Sequence, residues 1–430
     1  MLQKHFNILS SINNFRYSGK LSVRLTHKTK EKESKPALLI RSDITKYLDS
    51  STEYDDIKKI VPLELLKKYK KPPYLYLINK KSAREIVHAI KDKLNSSSPI
   101  IEIDPGFGLI TEELLKCQSN HVYMYEKNGH LFSQLPKLLQ IYPEQASLKC
   151  KNFFSLWKLA FHDKEDGGNR VENLLGELYT NDKFNAGRNV NIVGSMPGLT
   201  SAKGLVNNII HDQIGQPNIF MYTPSQHYES LVDTKSNLAQ QTLFELLFKV
   251  TVVMTVPREH FLPWTLKTDS KKMDEGRIHL VHITLKEQLP CAPKYLQLFY
   301  YFIKKQTFSK FTPIIPKLEQ WIPGCGVRLI TGQDPPDTNK ELGPKDGDAK
   351  LPLMTIFTQF HDLDLEQKVT LFKRFISWPE FEQSSFRKMM EDSLFVAPEY
   401  PYNAEGDRNT TNFNYTKQTD HDNKTEENKQ

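Results

Sequence analysis

The residues best suited to chemistry sit in one stretch, Ile100-Ile-Glu-Ile-Asp-Pro-Gly-Phe-Gly-Leu-Ile-Thr111. Its apolar start predicts a strand ending at Asp104, then a tight turn through Gly106 and Gly108. A helix should follow, capped by Thr111 and favoured by Glu112 and Glu113 in its first turn. Glycines at such a turn let backbone N–H groups approach a ligand with no Cβ in the way. Eighteen residues beyond Gly108 a second apolar run ends in Tyr125-Glu126. An acid at the end of strand two is where an α/β fold holds a ribose diol, so the two stretches together predict a nucleoside pocket. For Glu126 alone, a surface acid is the alternative.

A second chemistry is electrostatic. Residues 57–93 carry eleven Lys/Arg against Glu64, Glu85 and Asp92, and the run Lys67, Lys68, Tyr69, Lys70, Lys71, Pro72, Pro73, Tyr74 sets lysines beside aromatics. Basic side chains next to exposed rings hold phosphates and stack on bases. A solvated, Lys-rich helix end is the competing reading. On the first reading the candidate nucleic-acid contacts are Lys67, Lys68, Lys70, Lys71, Tyr74 and Arg84, with Lys304, Lys305 and Lys310 as a second patch.

Positioning these residues requires an α/β framework. Ala83, Ile86, Val87, Ile90 and Leu94 follow helical spacing, which predicts an amphipathic helix over 82–94. Beyond it, seven short apolar runs cover 99–104, 121–126, 146–149, 190–195, 218–222, 250–256 and 278–285. The first five are separated by crossover lengths that suit parallel strands, and the polar loop between the last two suits a terminal antiparallel hairpin. The sum is a seven-stranded α/β sheet. After residue 289 the pattern becomes helical, at 295–305, 353–361, 363–378 and 379–394, around a turn in 321–329 and a polar Pro/Gly loop at 332–350. The expected organisation is a lead-in over 31–69, basic at its end and loosely ordered over 31–56, a sheet domain over 70–289 and a smaller helical domain over 290–400. A tail over 401–430 has too few apolar residues to offset its ordering entropy.

Composition bounds the rest. The 430 residues, 38% hydrophobic, can bury a large core. At roughly 100–200 residues per domain they suit two or three domains. The net charge of +7 is concentrated at the start, because residues 1–30 hold six Lys/Arg and no Asp or Glu, leaving only +1 for the remainder. A cationic, Ser-rich, acid-free start with scattered apolar residues predicts a mitochondrial transit peptide, with a basic arm as the alternative. No run approaches the roughly 18–20 apolar residues of a membrane helix, so no membrane insertion is expected. Four well-separated cysteines, with no CxxC pair, predict reduced thiols and no zinc ribbon, and nothing in the chain calls for a metal. Walker, HExxH and G-x-S-x-G motifs are absent from the sequence.

The stretch Glu102-Ile-Asp-Pro-Gly-Phe-Gly-Leu-Ile-Thr111 resembles the first motif of the ribosomal RNA adenine dimethyltransferases, E-I-G-P-G-x-G-x-L-T. Glu126-Lys127 is similar to their second motif. Tyr74-Leu-Tyr-Leu-Ile-Asn79 is similar to their entry segment Q-N-F-L-x-[DN], and Val256-Pro-Arg-Glu-His-Phe261-Leu-Pro263 to V-x-x-x-x-F-x-P. The four fall in the family's order across residues 70–289. The resemblance implies a class I methyltransferase-like, Rossmann-like seven-stranded fold. It also implies S-adenosylmethionine as the cofactor to test, held by Leu77, Asp104, Gly106, Gly108, Glu126 and Asn152.

The departures fall where the chemistry would be. The family's N-L-P-Y loop is replaced by Ser195, Met196, Pro197 and Gly198. The Asn that would accept from the adenine amine is therefore Ser195, and the stacking aromatic is Gly198. Asp104 replaces a Gly, Asn152 an acid and Tyr74 a Gln. With both positioners lost, transfer to an oriented amine should suffer heavily. This erosion is similar to that of the mitochondrial transcription factor B group, its fungal members above all. That likeness implies an initiation factor in the matrix nucleoid, whose partners are a single-subunit mitochondrial RNA polymerase and promoter DNA, single-stranded in the open complex. The alternative is an S-adenosylmethionine-dependent dimethyltransferase acting on small-subunit rRNA, and a purely structural ribosomal or nucleoid protein is a third reading.

Overall fold

Seven apolar runs become the strands of one sheet: β1 (Ile100–Ile103), β2 (Val122–Tyr125), β3 (Ala146–Lys149), β4 (Asn189–Ser195), β5 (Gln216–Pro224), β6 (Phe248–Pro257) and β7 (Arg277–Leu285). The computed structural model describes residues 43–395 except 70, 118–119, 180–188, 211–215, 233–238, 266–275 and 307–310. The expected transit peptide, the C-terminal tail, Lys70 and Lys310 lie outside the described residues.

The strand order is β3-β2-β1-β4-β5-β7-β6. Strands β1 to β5 pair in parallel, while β7 is antiparallel to both β5 and β6. The terminal hairpin is thus present, and β6 runs with the first five, so a single strand is reversed. This is the methyltransferase-like α/β fold. All four residues of β1 are buried, as a central parallel strand covered on both faces requires. The chain winds outward from β1 in both directions, which opens the sheet's crevice at the carboxyl ends of β1 and β4. Asp104 and Ser195 stand at those two ends.

Helix α1 (Lys80–Ile90) starts where Asn79 accepts a hydrogen bond from the Ser82 amide at 2.8 Å, and it buries Ala83, Ile86, Val87 and Ile90. Helix α2 (Leu109–Cys117) begins two residues earlier than its expected cap. Thr111 lies inside its first turn, and its hydroxyl donates to the buried Glu102 carboxylate at 2.6 Å rather than to the helix end. A close strand–helix approach therefore claims that side chain.

Two further expectations fail on packing grounds. The segment expected to be loosely ordered is folded from residue 43, with helices Asp43–Asp49 and Asp55–Ile60 and the turn Thr52–Tyr54 between them burying Ile44, Leu48, Tyr54 and Ile57 against Tyr76, Ile78 and Leu262. Residues 353–361 do not form a helix. The Thr355 amide and hydroxyl both reach the Thr358 hydroxyl in a local turn, leaving Leu353 and Phe357 exposed. The longer C-terminal helices are α5 (Leu296–Gln306), α6 (Leu365–Ser377) and α7 (Ser385–Phe395), with a short helix at Ile314–Glu319 between α5 and α6, and α3 (Leu199–Ile210) and α4 (Ser225–Val232) precede them in the sheet region. Cys325–Thr331, expected within a turn, is a short helix. The polar stretch at 332–350 is pinned down: Asp334 accepts from Arg374 and from the Trp378 indole, each at 2.8 Å, and Lys373 pairs with Asp348 at 2.7 Å.

One apolar cluster runs from Ile101, Ile192 and Ile219 of the sheet to Phe299, Phe302, Trp321, Phe372 and Trp378 of the helical region. Among the described residues no helix is long and apolar enough to cross a membrane.

Candidate functional site

The entry segment and the segment before β7 zip together and thereby aim Tyr76. Tyr76 pairs with Leu262 and Leu77 with Phe261 in a short antiparallel ladder, and the Ile78 amide donates to the His260 carbonyl at 2.8 Å. The Arg258 guanidinium, itself buried, locks the return by donating to the Phe261 carbonyl at 3.0 Å and to that of Pro263. Leu77 ends in the apolar core. Its side chain is therefore not available to a ligand.

At the crevice, Glu126 is fully buried at the end of β2. One carboxylate oxygen accepts from the Gly106 amide at 3.0 Å; the other accepts from the Asn128 amide at 2.7 Å and the Tyr76 hydroxyl at 3.1 Å. Burial, then the charge of Asp104, pushes the Glu126 carboxyl up to about 8, against the pull of the donors. Burial and the neighbouring carboxylates also hold the Tyr76 phenol well above its ordinary value, so it stays a donor.

Gly106 and Gly108 both have positive φ, 62° and 73°, which explains the glycines conformationally. The space over them is not free. A Cβ on Gly106 would meet the Tyr76 ring at 2.5 Å, and one on Gly108 would meet Leu138 at 2.5 Å. The room expected for a ligand is taken by the protein's own side chains, and Asp104, Gly106, Gly108 and Glu126 are all buried. Asp104 itself holds a φ of 51°, in the region the family's Gly would favour. Its carboxylate pairs with Lys127 at 3.3 Å. Burial opposes the Lys127 charge, and Asp104 overrides it, keeping the ammonium above its usual value. As arranged, Glu126 has no exposed surface and three donors already engage its carboxyl group, so a ribose reaches it only if Tyr76 moves aside.

Asn152 is exposed and spends its side-chain oxygen on the Phe154 amide at 3.1 Å, as the cap of a short helix. At the end of β4, Ser195 is fully buried with its hydroxyl 3.4 Å from Asp104. The Met196 amide donates to the Tyr222 carbonyl at 3.0 Å, and its side chain is core. Pro197 is buried and Gly198 half-buried. A Cβ at 198 would sit 3.5 Å from the His227 imidazole of α4, so this ring is what a side chain there would touch.

Lys68 is tied to Asp43, and Lys67 and Arg84 are exposed, Arg84 on the outer side of α1. Lys71 is exposed beside His227, whose imidazole is lowered by burial and then by that lysine. Tyr74 is not a free stacking platform: it lies parallel to Tyr76 at 5.5 Å with Lys127 over its outer face at 5.1 Å. In the second patch, Lys304 and Lys305 lie over Tyr300 and Tyr301, and Lys203 of α3 is close enough to Lys304 and Lys158 that burial and their repulsion lower its ammonium to about 8.

Sequence reasoning missed Tyr76, His227 and Lys203. Tyr76 had a legible signal, since it stands where the entry motif has Phe. The other two had none, because their neighbours are distant in the chain. Among the described residues no group of His, Cys, Asp and Glu could hold a metal ion.

Residues 67–333 match the family model of ribosomal RNA adenine dimethylase. The chain is similar to the Drosophila melanogaster protein named mitochondrial dimethyladenosine transferase 2, at 29% identity over 374 residues, covering 77% of this chain and 82% of the relative. Similar solved structures include a dimethyladenosine transferase from Plasmodium falciparum, at 12% identity and a TM-score of 0.40, covering 69% of this chain and 96% of that one. Another is the 23S rRNA methyltransferase ErmE, at 16% identity and a TM-score of 0.39, covering 70% and 99%.

Proposed function

The chain belongs to the ribosomal RNA adenine dimethylase family, and we propose that it serves mitochondrial nucleic acid on that fold without methylating it, as an initiation factor for a single-subunit mitochondrial RNA polymerase. One observation carries this reading: the loop after β4 offers nothing to orient or stack on an adenine. Ser195 is buried with its hydroxyl turned to Asp104, and Gly198 has no ring. Transfer to an exocyclic amine demands alignment, and a misplacement of about 1 Å can cost on the order of a hundredfold in rate. In this role the partners are the polymerase and promoter DNA, single-stranded in the open complex. The location is the mitochondrial matrix, which the acid-free basic start and the mitochondrial relative support.

The second reading is S-adenosylmethionine-dependent dimethylation of adenines in small-subunit rRNA. The comparisons favour it over the first, since the family and the Drosophila relative are named for dimethyladenosine chemistry and neither name mentions a polymerase or a promoter. It requires the crevice at Glu126 to open and another group to do the work of the missing Asn and aromatic.

Two assays on the full chain separate them. Run-off transcription with the cognate polymerase should require this protein on a closed promoter and require it less on a pre-melted copy. Labelled S-adenosylmethionine should leave no methyl on a small-subunit rRNA hairpin. Methylated adenine without transcriptional stimulation would overturn the first reading and install the second.

A further inference from the structure

The crevice at the ends of β1 and β2 has the outline of a nucleoside site, yet its acid is already engaged. A carboxylate has about four lone-pair positions. Glu126 uses three of them, for Tyr76, Asn128 and Gly106. Two of these donors are backbone amides, Gly106 after β1 and Asn128 after β2. The third is a side chain, and it stands where the family's entry segment has a Phe. The difference between the two residues is one oxygen atom.

We infer that the Tyr76 hydroxyl is a built-in substitute for a ribose hydroxyl, and that it latches the cofactor crevice shut. The ring lies against Gly106, close enough that any Cβ there would collide with it. Tyr74 covers it in parallel at 5.5 Å and 16°, and Lys127 covers Tyr74 while reaching Asp104 at 3.3 Å. Tyr76 and Glu126 both have no exposed surface. A ribose reaching Glu126 must displace a fully buried hydrogen bond, and breaking one leaves a buried polar group that has to be satisfied again. Tyr76 therefore decides whether this chain accepts an adenosyl cofactor. The inference rests on reading this crevice as the cofactor site, not on the polymerase partnership.

The test is calorimetric titration of the full chain and of Tyr76→Phe with S-adenosylmethionine and with S-adenosylhomocysteine. The Phe variant keeps the ring and restores the family's residue, and a melting curve without ligand verifies its fold. The variant should bind at least tenfold tighter than the wild-type chain. Equal affinities in the two proteins, whether micromolar or undetectable, would overturn the latch. Tyr76→Ala removes the ring as well; a gain there without a gain in Tyr76→Phe would assign the closure to the ring and overturn the role of the hydroxyl. Calorimetry reads the crevice alone, so its failure leaves the transcription result standing, and a failed transcription assay leaves the latch standing.

Discussion

Two buried acids of the first motif, Glu102 and Asp104, carry consequences that can be measured one residue at a time. Glu102 lies wholly inside β1, with one carboxyl oxygen on Thr111 and the other without a hydrogen-bond partner. Burial pushes its carboxyl up to about 7, with the Thr111 bonds pulling the other way. A raised acid penalises the folded state only where the unfolded chain would ionise. The cost is therefore absent below the unfolded value near 4.5, grows as pH rises, and is complete above about 7. Glu102→Gln should match the wild-type stability below pH 4.5, exceed it increasingly up to about pH 7 and level off above, by at most roughly 3 kcal/mol at 1.36 kcal/mol per pKa unit. Urea melts of both proteins at four pH values check it, and a difference that does not grow with pH would refute the assignment. At Asp104 the ordinary ranking of substitutions should invert. Its φ of 51° suits Gly and strains Ala. Asp104→Gly should be more stable than Asp104→Ala by roughly 1 kcal/mol, although Ala is the better residue in most helices and strands. Both lose the partner of Lys127 equally, so the comparison isolates the backbone.

At the scale of the element, the joint between the N-terminal helices and α1 depends on one side chain. The Asn79 oxygen caps α1 through Ser82, and its amide nitrogen donates to the Tyr54 hydroxyl at 3.2 Å and to Glu53 at 3.3 Å. Asn79→Ala removes the cap and both links, and should cost about 1–2 kcal/mol. Asn79→Asp keeps the cap but cannot donate, so a melt that places it between the wild type and Asn79→Ala separates the two roles. The helix itself was legible from its apolar spacing, and Asn79 was legible as an element of the entry motif. Its second role was not, because Glu53 and Tyr54 belong to a segment whose mixed charge disguised a folded pair of helices. Residues 353–361 mislead in the opposite direction. Their apolar spacing is helical, but the Thr355–Thr358 turn competes locally, leaving Leu353, Ile356 and Phe357 exposed while Met354 and Phe360 join the core.

Across the whole molecule, the sheet and the C-terminal helices share one cluster of buried residues. Phe302 stands at its centre, with Phe372 and Phe375 at 5.4 and 5.5 Å and Trp321 and Phe386 at 6.3 Å. Phe302→Ala should destabilise by roughly 3–5 kcal/mol. Because the cluster is continuous, far-UV circular dichroism and tryptophan fluorescence should lose their signals in one coincident transition in both proteins. A two-step melt, with the helical region unfolding first, would contradict the shared core.

By itself the sequence determined the seven strands, their mostly parallel pairing, the glycine turn after β1, the acid at the end of β2 and the departures in the loop after β4. Each of these is written in local periodicity or in the identity of a few neighbouring residues. Only the tertiary structure decided what faces what. Tyr76 reaches Glu126 across fifty residues, Gly198 meets His227, Lys127 covers Tyr74, and Lys68, one of a run of lysines in the sequence, turns to Asp43. Side-chain partnership follows from how distant segments pack, and no spacing along the chain encodes it. A glycine loop and an acid announce a pocket, but whether the protein fills that pocket with its own tyrosine is settled by the fold alone.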